Sequence, residues 1–220
     1  MKLRYLLICI LMLLGCVGSQ AADQNFLVVP TQYGTPGRQM VLEVKMTNAI
    51  GIYGYQFDIR LPQGITIAKD EDDEFIADGG TRSTSHMINI SVGANNTYRV
   101  TAVNFNGKTF AEREGSVCRI TLNVAASVGI MAYPLSITDI EMTSVGNQVF
   151  RPANANFKFV ITPKGDANGD MVVNIADVVS IVAQYNHQNP TPFNTPAADI
   201  DGAGAINTAD VKAVVAMILK

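Results

Sequence analysis

Two stretches near the end of the chain, GDANGDMVVNIAD (165–177) and DIDGAGAINTAD (199–210), set oxygen-bearing side chains at matching intervals. A hard divalent cation takes roughly six to eight oxygen ligands. A loop supplies them with Asp or Asn at positions 1, 3 and 5, a backbone carbonyl at 7, a ligand through water at 9 and a bidentate carboxylate at 12. The first stretch meets that scheme with Asp166, Asn168, Asp170, the Val172 carbonyl, Asn174 and Asp177. The second meets it with Asp199, Asp201, the Ala205 carbonyl, Asn207 and Asp210, but Ala203 stands at position 5. Each loop brings three carboxylates, enough to outweigh the two charges of Ca2+, so two calcium sites are expected, the second the weaker. Position 6 calls for a sharp turn; Gly204 suits it, whereas Met171 costs about 1–2 kcal/mol if the left-handed conformation is kept. Turn and cap formation alone does not demand two loops in one register.

The elements that hold these loops can be read from periodicity. IADVVSIVAQY places Ile175, Val178, Val179 and Val182 at helical spacing, and TADVKAVVAMIL does the same with Val211, Val214, Val215 and Ile218. Asn174 and Asn207 occupy N-cap positions, with Asp177 and Asp210 three residues on, where a carboxylate favours the helix N-terminus. The two units form a repeat at an offset of 33 residues, which also relates Gly169 to Gly202 and Val182-Ala183 to Val215-Ala216. The Pro- and Asn-rich NHQNPTPFNTPA between them cannot be helix throughout. Before Pro163 the period is two. MVLEVKM sets Met40, Leu42, Val44 and Met46 against Val41, Glu43 and Lys45, and YGYQFDIRL puts Tyr53, Tyr55, Phe57, Ile59 and Leu61 on one face. About nine such segments, parted by Pro62, Gly64, Gly93, Asn106-Gly107 and Gly129, predict a two-sheet sandwich or jelly roll over 22–162, followed by a small helical domain over 163–220.

The opening MKLRYLLICILMLLGCVGSQAADQ, with Lys2 and Arg4 ahead of an apolar run, reads as a secretory signal over 1–21, too short for a membrane span. Cleavage after Ala21 is one reading; a lipoprotein signal ending before Cys16, carried by Leu13-Leu14-Gly15-Cys16, is the other, and only then would the chain meet a membrane. Of the three cysteines, Cys118 alone lies outside the leader, on the strand face of Ile120, Leu122 and Val124, so it reads as core rather than nucleophile. A net charge of −3 without a basic cluster argues against nucleic acid.

Loop followed by helix, twice, with Asp at position 12 and a strand rather than a helix ahead of the first loop, resembles the type I dockerin module over 165–220. FLVVPTQYGTPGRQMVLEVKMTNAIGIYGYQFDIRLPQGITI, with Pro36-Gly37 between two strands, is similar to the start of a cohesin, a nine-stranded jelly roll related to some carbohydrate-binding modules; that resemblance covers 25–162. Dockerins are non-catalytic plugs that attach secreted bacterial proteins to cohesin modules in polysaccharide-degrading assemblies. In that family residues at loop positions 10 and 11 and on the following helix touch the cohesin, which by loop position implies Ile175, Ala176, Thr208 and Ala209 here, mostly apolar where the family often has hydroxyls.

The expected protein is therefore mainly β, a cohesin-like jelly roll joined to a small calcium-binding dockerin, secreted or at the bacterial cell surface and acting as a non-catalytic adaptor. Its partner would be a cohesin-type module in trans, with a dockerin or a glycan as a further partner of the sandwich. The alternative is a carbohydrate-binding protein tethered by its dockerin; Tyr33, Tyr98 and Tyr133 are its candidate sugar platforms, in a chain without Trp. A glycoside hydrolase is the least favoured reading: the acidic run DEDDE at 70–74 reads as a solvated loop, and His86 as a rim or packing residue.

Overall fold

The computed structural model describes residues 24–220; the leader readings, Cys16 among them, lie outside these residues. The described residues form twelve strands: β1 (Asn25–Val28), β2 (Gln32–Gly34), β3 (Gln39–Asn48), β4 (Ile52–Arg60), β5 (Ile65–Ile67), β6 (Ala77–Asp78), β7 (Met87–Val92), β8 (Thr97–Val103), β9 (Glu114–Val124), β10 (Met131–Ser144), β11 (Val149–Phe150) and β12 (Ala155–Ile161). Periodicity predicts nine; the other three, β2, β6 and β11, are two or three residues long, too short to show alternation. One sheet runs β1-β3-β9-β5, with β6 also on β9; the other runs β2-β12-β10-β4-β8-β7, with β11 also on β10. Pairing is antiparallel except for β2, which lies parallel to β12.

The inner faces meet in one core. Met40, Leu42, Val44 and Met46 of β3 and Ile120 and Leu122 of β9 face Phe57 and Ile59 of β4, Val100 of β8, Ile137 of β10 and Phe159 of β12. Tyr53 departs from the expected pattern. Thr143 pairs with Gly54 but the next residue, Ser144, pairs with Ile52, so Tyr53 is the extra residue of a bulge. That insertion turns Ile52 fully inward and leaves Tyr53 half-buried. Arg82 is also buried, donating to the carbonyls of Ala111 (2.6 Å), Met46 (2.7 Å) and Glu112 (2.8 Å) and to Asn48 Oδ1 (2.6 Å).

Beyond β12 the chain carries three helices, α1 (Ile175–Tyr185), α2 (Thr195–Ala198) and α3 (Thr208–Ile218). A second, small apolar cluster of Ala167, Ile181, Ala198 and Val214 joins them, with Val173, Val178, Phe193, Ile200, Ile206 and Val211 packed around it. So few apolar residues cannot by themselves give a firm fold, and local polar ties must contribute. Among the described residues no helix is long and apolar enough to cross a membrane.

Candidate functional site

The first loop is built on Asp166, buried just past the end of β12. Its Oδ1 accepts from the backbone N–H groups of Gly169 (2.8 Å) and Asp170 (3.1 Å), and its Oδ2 from Met171 (2.7 Å). Burial pushes its carboxyl above the ordinary value, opposed by the Met171 N–H. At the far end of the loop Asn174 caps α1 by accepting from Ala176 N–H (2.7 Å), and Asp177 accepts from Asn174 N–H (2.8 Å), closing a capping box. The other Asp177 oxygen accepts from Asn168 N–H at 3.1 Å, so one carboxylate starts the helix and ties it back to the head of the loop. Asp170 accepts from Val172 N–H (2.8 Å) and from the Asn168 amide (3.0 Å). Met171 does take the left-handed conformation, φ 72°, so its strain is present.

The second loop repeats these ties. Asp199 accepts from Gly202 N–H (2.8 Å) and Gly204 N–H (3.0 Å), and Asp201 from Ala203 N–H (2.9 Å). Asp210 accepts from Ile200 N–H (2.7 Å) and Asn207 N–H (2.9 Å), while Asn207 caps α3 and its amide donates to the Ala205 carbonyl (3.1 Å). Carboxylate oxygens of Asp199, Asp201 and Asp210 all lie within 4.8 Å of one another. Among the described residues, no ion pair supplies a cation to these three carboxylates. Three like charges so close are stabilised by a cation of oxygen-preferring chemistry, and the donor set fits one. Ala203 adds no oxygen. Asp166, Asp170 and Asp177 are not drawn together in the same way among the described residues.

The helix faces differ from the periodic reading. Ile175, Val178, Val179 and Val182 share helical spacing, but of the four only Val178 packs against the small cluster, beside a fully buried Ile181. Ile175 is 66% exposed, Val179 63% and Val182 39%. IADVVSIV carries two adjacent apolar stripes, and a cluster this small covers one of them. Ile175 and Ala176 at the start of α1, and Thr208 and Ala209 at the start of α3, are exposed. At the repeat offset, α3 carries Thr208, Lys212 and Val215 where α1 carries Ile175, Val179 and Val182.

The family model for the dockerin type I domain matches residues 164–219. That segment is a type I dockerin domain. No curated protein sequence matches the chain significantly. Among solved structures, the sixth cohesin of Acetivibrio cellulolyticus scaffoldin B, crystallised with a Cel5 dockerin, aligns with TM-score 0.53 at 16% identity, covering 62% of this chain and 98% of that one. A Clostridium thermocellum cohesin in the Coh-OlpA-Doc918 complex gives 0.52 at 16%, covering 63% and 99%. A non-cellulosomal cohesin of the archaeon Archaeoglobus fulgidus gives 0.50 at 16%, covering 63% and 91%. The sandwich thus has a cohesin-like fold. Type I dockerin domains bind calcium, in keeping with the acidic group of the second loop.

Between sandwich and dockerin lie residues that sequence reasoning did not single out. Asn194 is wholly buried, and its amide donates to the Thr162 hydroxyl (2.8 Å) and the Gly34 carbonyl (3.3 Å) while its oxygen caps α2. Asn-Thr-Pro, an N-cap followed by proline in the first turn, was the available signal. Arg38 donates to the Ile200 carbonyl at 3.0 Å. Of the candidate sugar platforms, Tyr98 is buried, Tyr33 lies against Gly169, and Tyr133 is half-buried with its hydroxyl bonded to the Gly129 carbonyl. Cys118 sits in the core with its thiol pushed up to about 12 by burial. His86 stacks on Phe110 with ring centroids 3.5 Å apart. In the acidic run, Asp70 caps its own loop, accepting from Asp72 and Glu74 N–H at 3.0 Å each.

Proposed function

We propose that the chain is a secreted, calcium-dependent, non-catalytic adaptor whose dockerin docks on a cohesin-type module of another protein. The observation that carries this reading is the aliphatic stripe Ile175, Val179 and Val182, exposed on α1 directly behind the first loop. The calcium ligands would be Asp166, Asn168, Asp170, the Val172 carbonyl, Asn174 and Asp177 in one site and Asp199, Asp201, the Ala205 carbonyl, Asn207 and Asp210 in the other. Calcium there neutralises each loop's carboxylates and fixes the helix behind it. Cohesin neighbours crystallised with dockerins support the choice of partner.

The asymmetry of the repeat supports a single mode of docking, led by α1, on a receptor with an apolar patch. The groove of the seven-stranded sheet in this chain mixes the charged Asp58, Arg60, Asp139 and Lys158 with the apolar Val29, Pro134, Leu135 and Phe157. The buried or engaged tyrosines favour protein over glycan as the ligand of the sandwich. The test is calorimetry of the full chain against calcium, then against a panel of purified cohesins and its own sandwich, in calcium and in chelator. Two calcium events lost in Asp166→Ala with Asp199→Ala, and calcium-dependent capture by a cohesin lost in Ile175→Asp with Val179→Asp, are expected. Cohesin capture that survives those last substitutions would remove α1 from the interface.

A further inference from the structure

One turn of the sandwich grips both loops at the same loop position. The fourth residue of each loop is a glycine of positive φ, Gly169 at 75° and Gly202 at 77°. The Tyr33 ring lies over Gly169 so closely that a Cβ there would run into Cε1 and Cδ1. The Arg38 guanidinium lies over Gly202 in the same manner and donates from Nη2 to the Ile200 carbonyl. Gly204, in the same loop, has open space where its Cβ would stand, so the contact is specific to the fourth position. Each gripped glycine lies next to a candidate ligand, Asn168 and Asp170 in one loop and Asp201 in the other. The Ile200 peptide held by Arg38 lies between Asp199 and Asp201.

We propose that the Tyr33–Arg38 turn is an internal docking surface for the calcium-loaded loops, so that calcium binding and seating of the dockerin on the sandwich strengthen each other. The inference rests on the calcium reading above. Without an ion the three carboxylates of the second loop repel, the loop opens, and the glycine and carbonyl that the sandwich holds move out of place. Thermodynamic linkage makes the effect reciprocal: a turn that prefers the closed loops raises their affinity for calcium by the factor by which calcium raises docking. Calcium thereby makes one rigid body of two tethered modules and fixes the direction in which the α1 stripe points.

The probe is Ca2+ alone, on the full chain from residue 24. Small-angle scattering should show a larger radius of gyration in chelator than in calcium. In calorimetry, Tyr33→Ala and Arg38→Ala should each weaken calcium binding about fivefold, the low end of couplings between sites. Tyr33→Phe should match the parent, because ring carbons make the contact. Arg38→Ala discriminates by sign, since removing a positive charge near a cation site would by Coulomb repulsion alone tighten binding. A parent that takes up calcium, with both alanine variants unchanged or Arg38→Ala tighter, or with dimensions indifferent to chelator, overturns the coupling and leaves the calcium sites standing. A parent that takes up no calcium overturns both.

Discussion

Alanine at Gly202 and at Gly204 separates backbone strain from the grip of the sandwich. The two glycines lie in one loop at nearly the same φ, 77° and 81°. At Gly204 nothing stands within 4 Å of the added methyl. Gly204→Ala therefore carries only the left-handed cost of about 1–2 kcal/mol. Against it stands about 0.4–1 kcal/mol from restricting the unfolded chain, and the net loss is about 1 kcal/mol. At Gly202 the methyl strikes Arg38 Nη1 and comes within 3.1 Å of Cζ, so the guanidinium must leave the Ile200 carbonyl. A hydrogen bond from a charged donor is worth about 1.5–3 kcal/mol, and at this half-buried position the lower figure applies, which brings Gly202→Ala to about 2.5 kcal/mol. With Arg38 already replaced by Ala, Gly202→Ala should fall back to about 1 kcal/mol. The assay is urea denaturation of the full chain in calcium, followed by far-ultraviolet circular dichroism, which reports the helices. Equal losses for the two glycines, or a coupling between Gly202 and Arg38 below about 0.5 kcal/mol, would refute the reasoning.

Three further outcomes follow from other parts of the structure. Ala203→Asp supplies the missing fifth-position carboxylate and should tighten calcium at the second loop about tenfold, because charge count tunes such sites; calorimetry showing no gain would deny Ala203 that position. Arg82→Met leaves three carbonyls and the Asn48 amide oxygen without their buried donor, and should lower stability of the sandwich by about 3 kcal/mol or more, measured as a denaturation midpoint. His86 is buried, with Nδ1 accepting from Thr84 N–H (3.2 Å) and Nε2 at 3.2 Å from the Tyr53 carbonyl, and burial holds its pKa below 6.5. The unfolded chain then takes up the proton first. Stability from this group is full above the unfolded value and is lost as pH falls below 6.5 towards the folded pKa. The midpoint should drop in mildly acidic buffer, and a fall of equal size in His86→Gln would assign it elsewhere.

The sequence showed most where chemistry dictates residue type and spacing together. The caps at Asn174 and Asn207 and the position of Met171 in its turn were legible because a side chain must reach a fixed N–H, or a backbone must bend at a fixed place. The two stripes of α1 were not resolved, since a helical period reports apolar residues without reporting which neighbours exist to cover them; Val178 and Ile181 are covered, Ile175 and Val179 are not. Tyr53 was assigned to the core because alternation takes each residue as one step, and the bulge opposite Thr143 and Ser144 breaks that count. Tyr33, Arg38 and Asn194 gave little warning. Their partners, Gly169, Ile200 and Gly34, lie far off in sequence, and no local pattern encodes a contact of that range.

The route from sandwich to plug is short: β12 ends at Ile161 and the first ligand candidate is Asp166. Were a partner seated on α1 pulled away, tension would enter the sandwich through β12. Seven residue pairs join that strand to β10, and β2 flanks its other side in parallel. Force along a strand loads these ladder bonds together, in shear, instead of breaking them one after another from an end. The same short junction therefore makes the plug an anchorage suited to load, in a protein whose work would be to hold on.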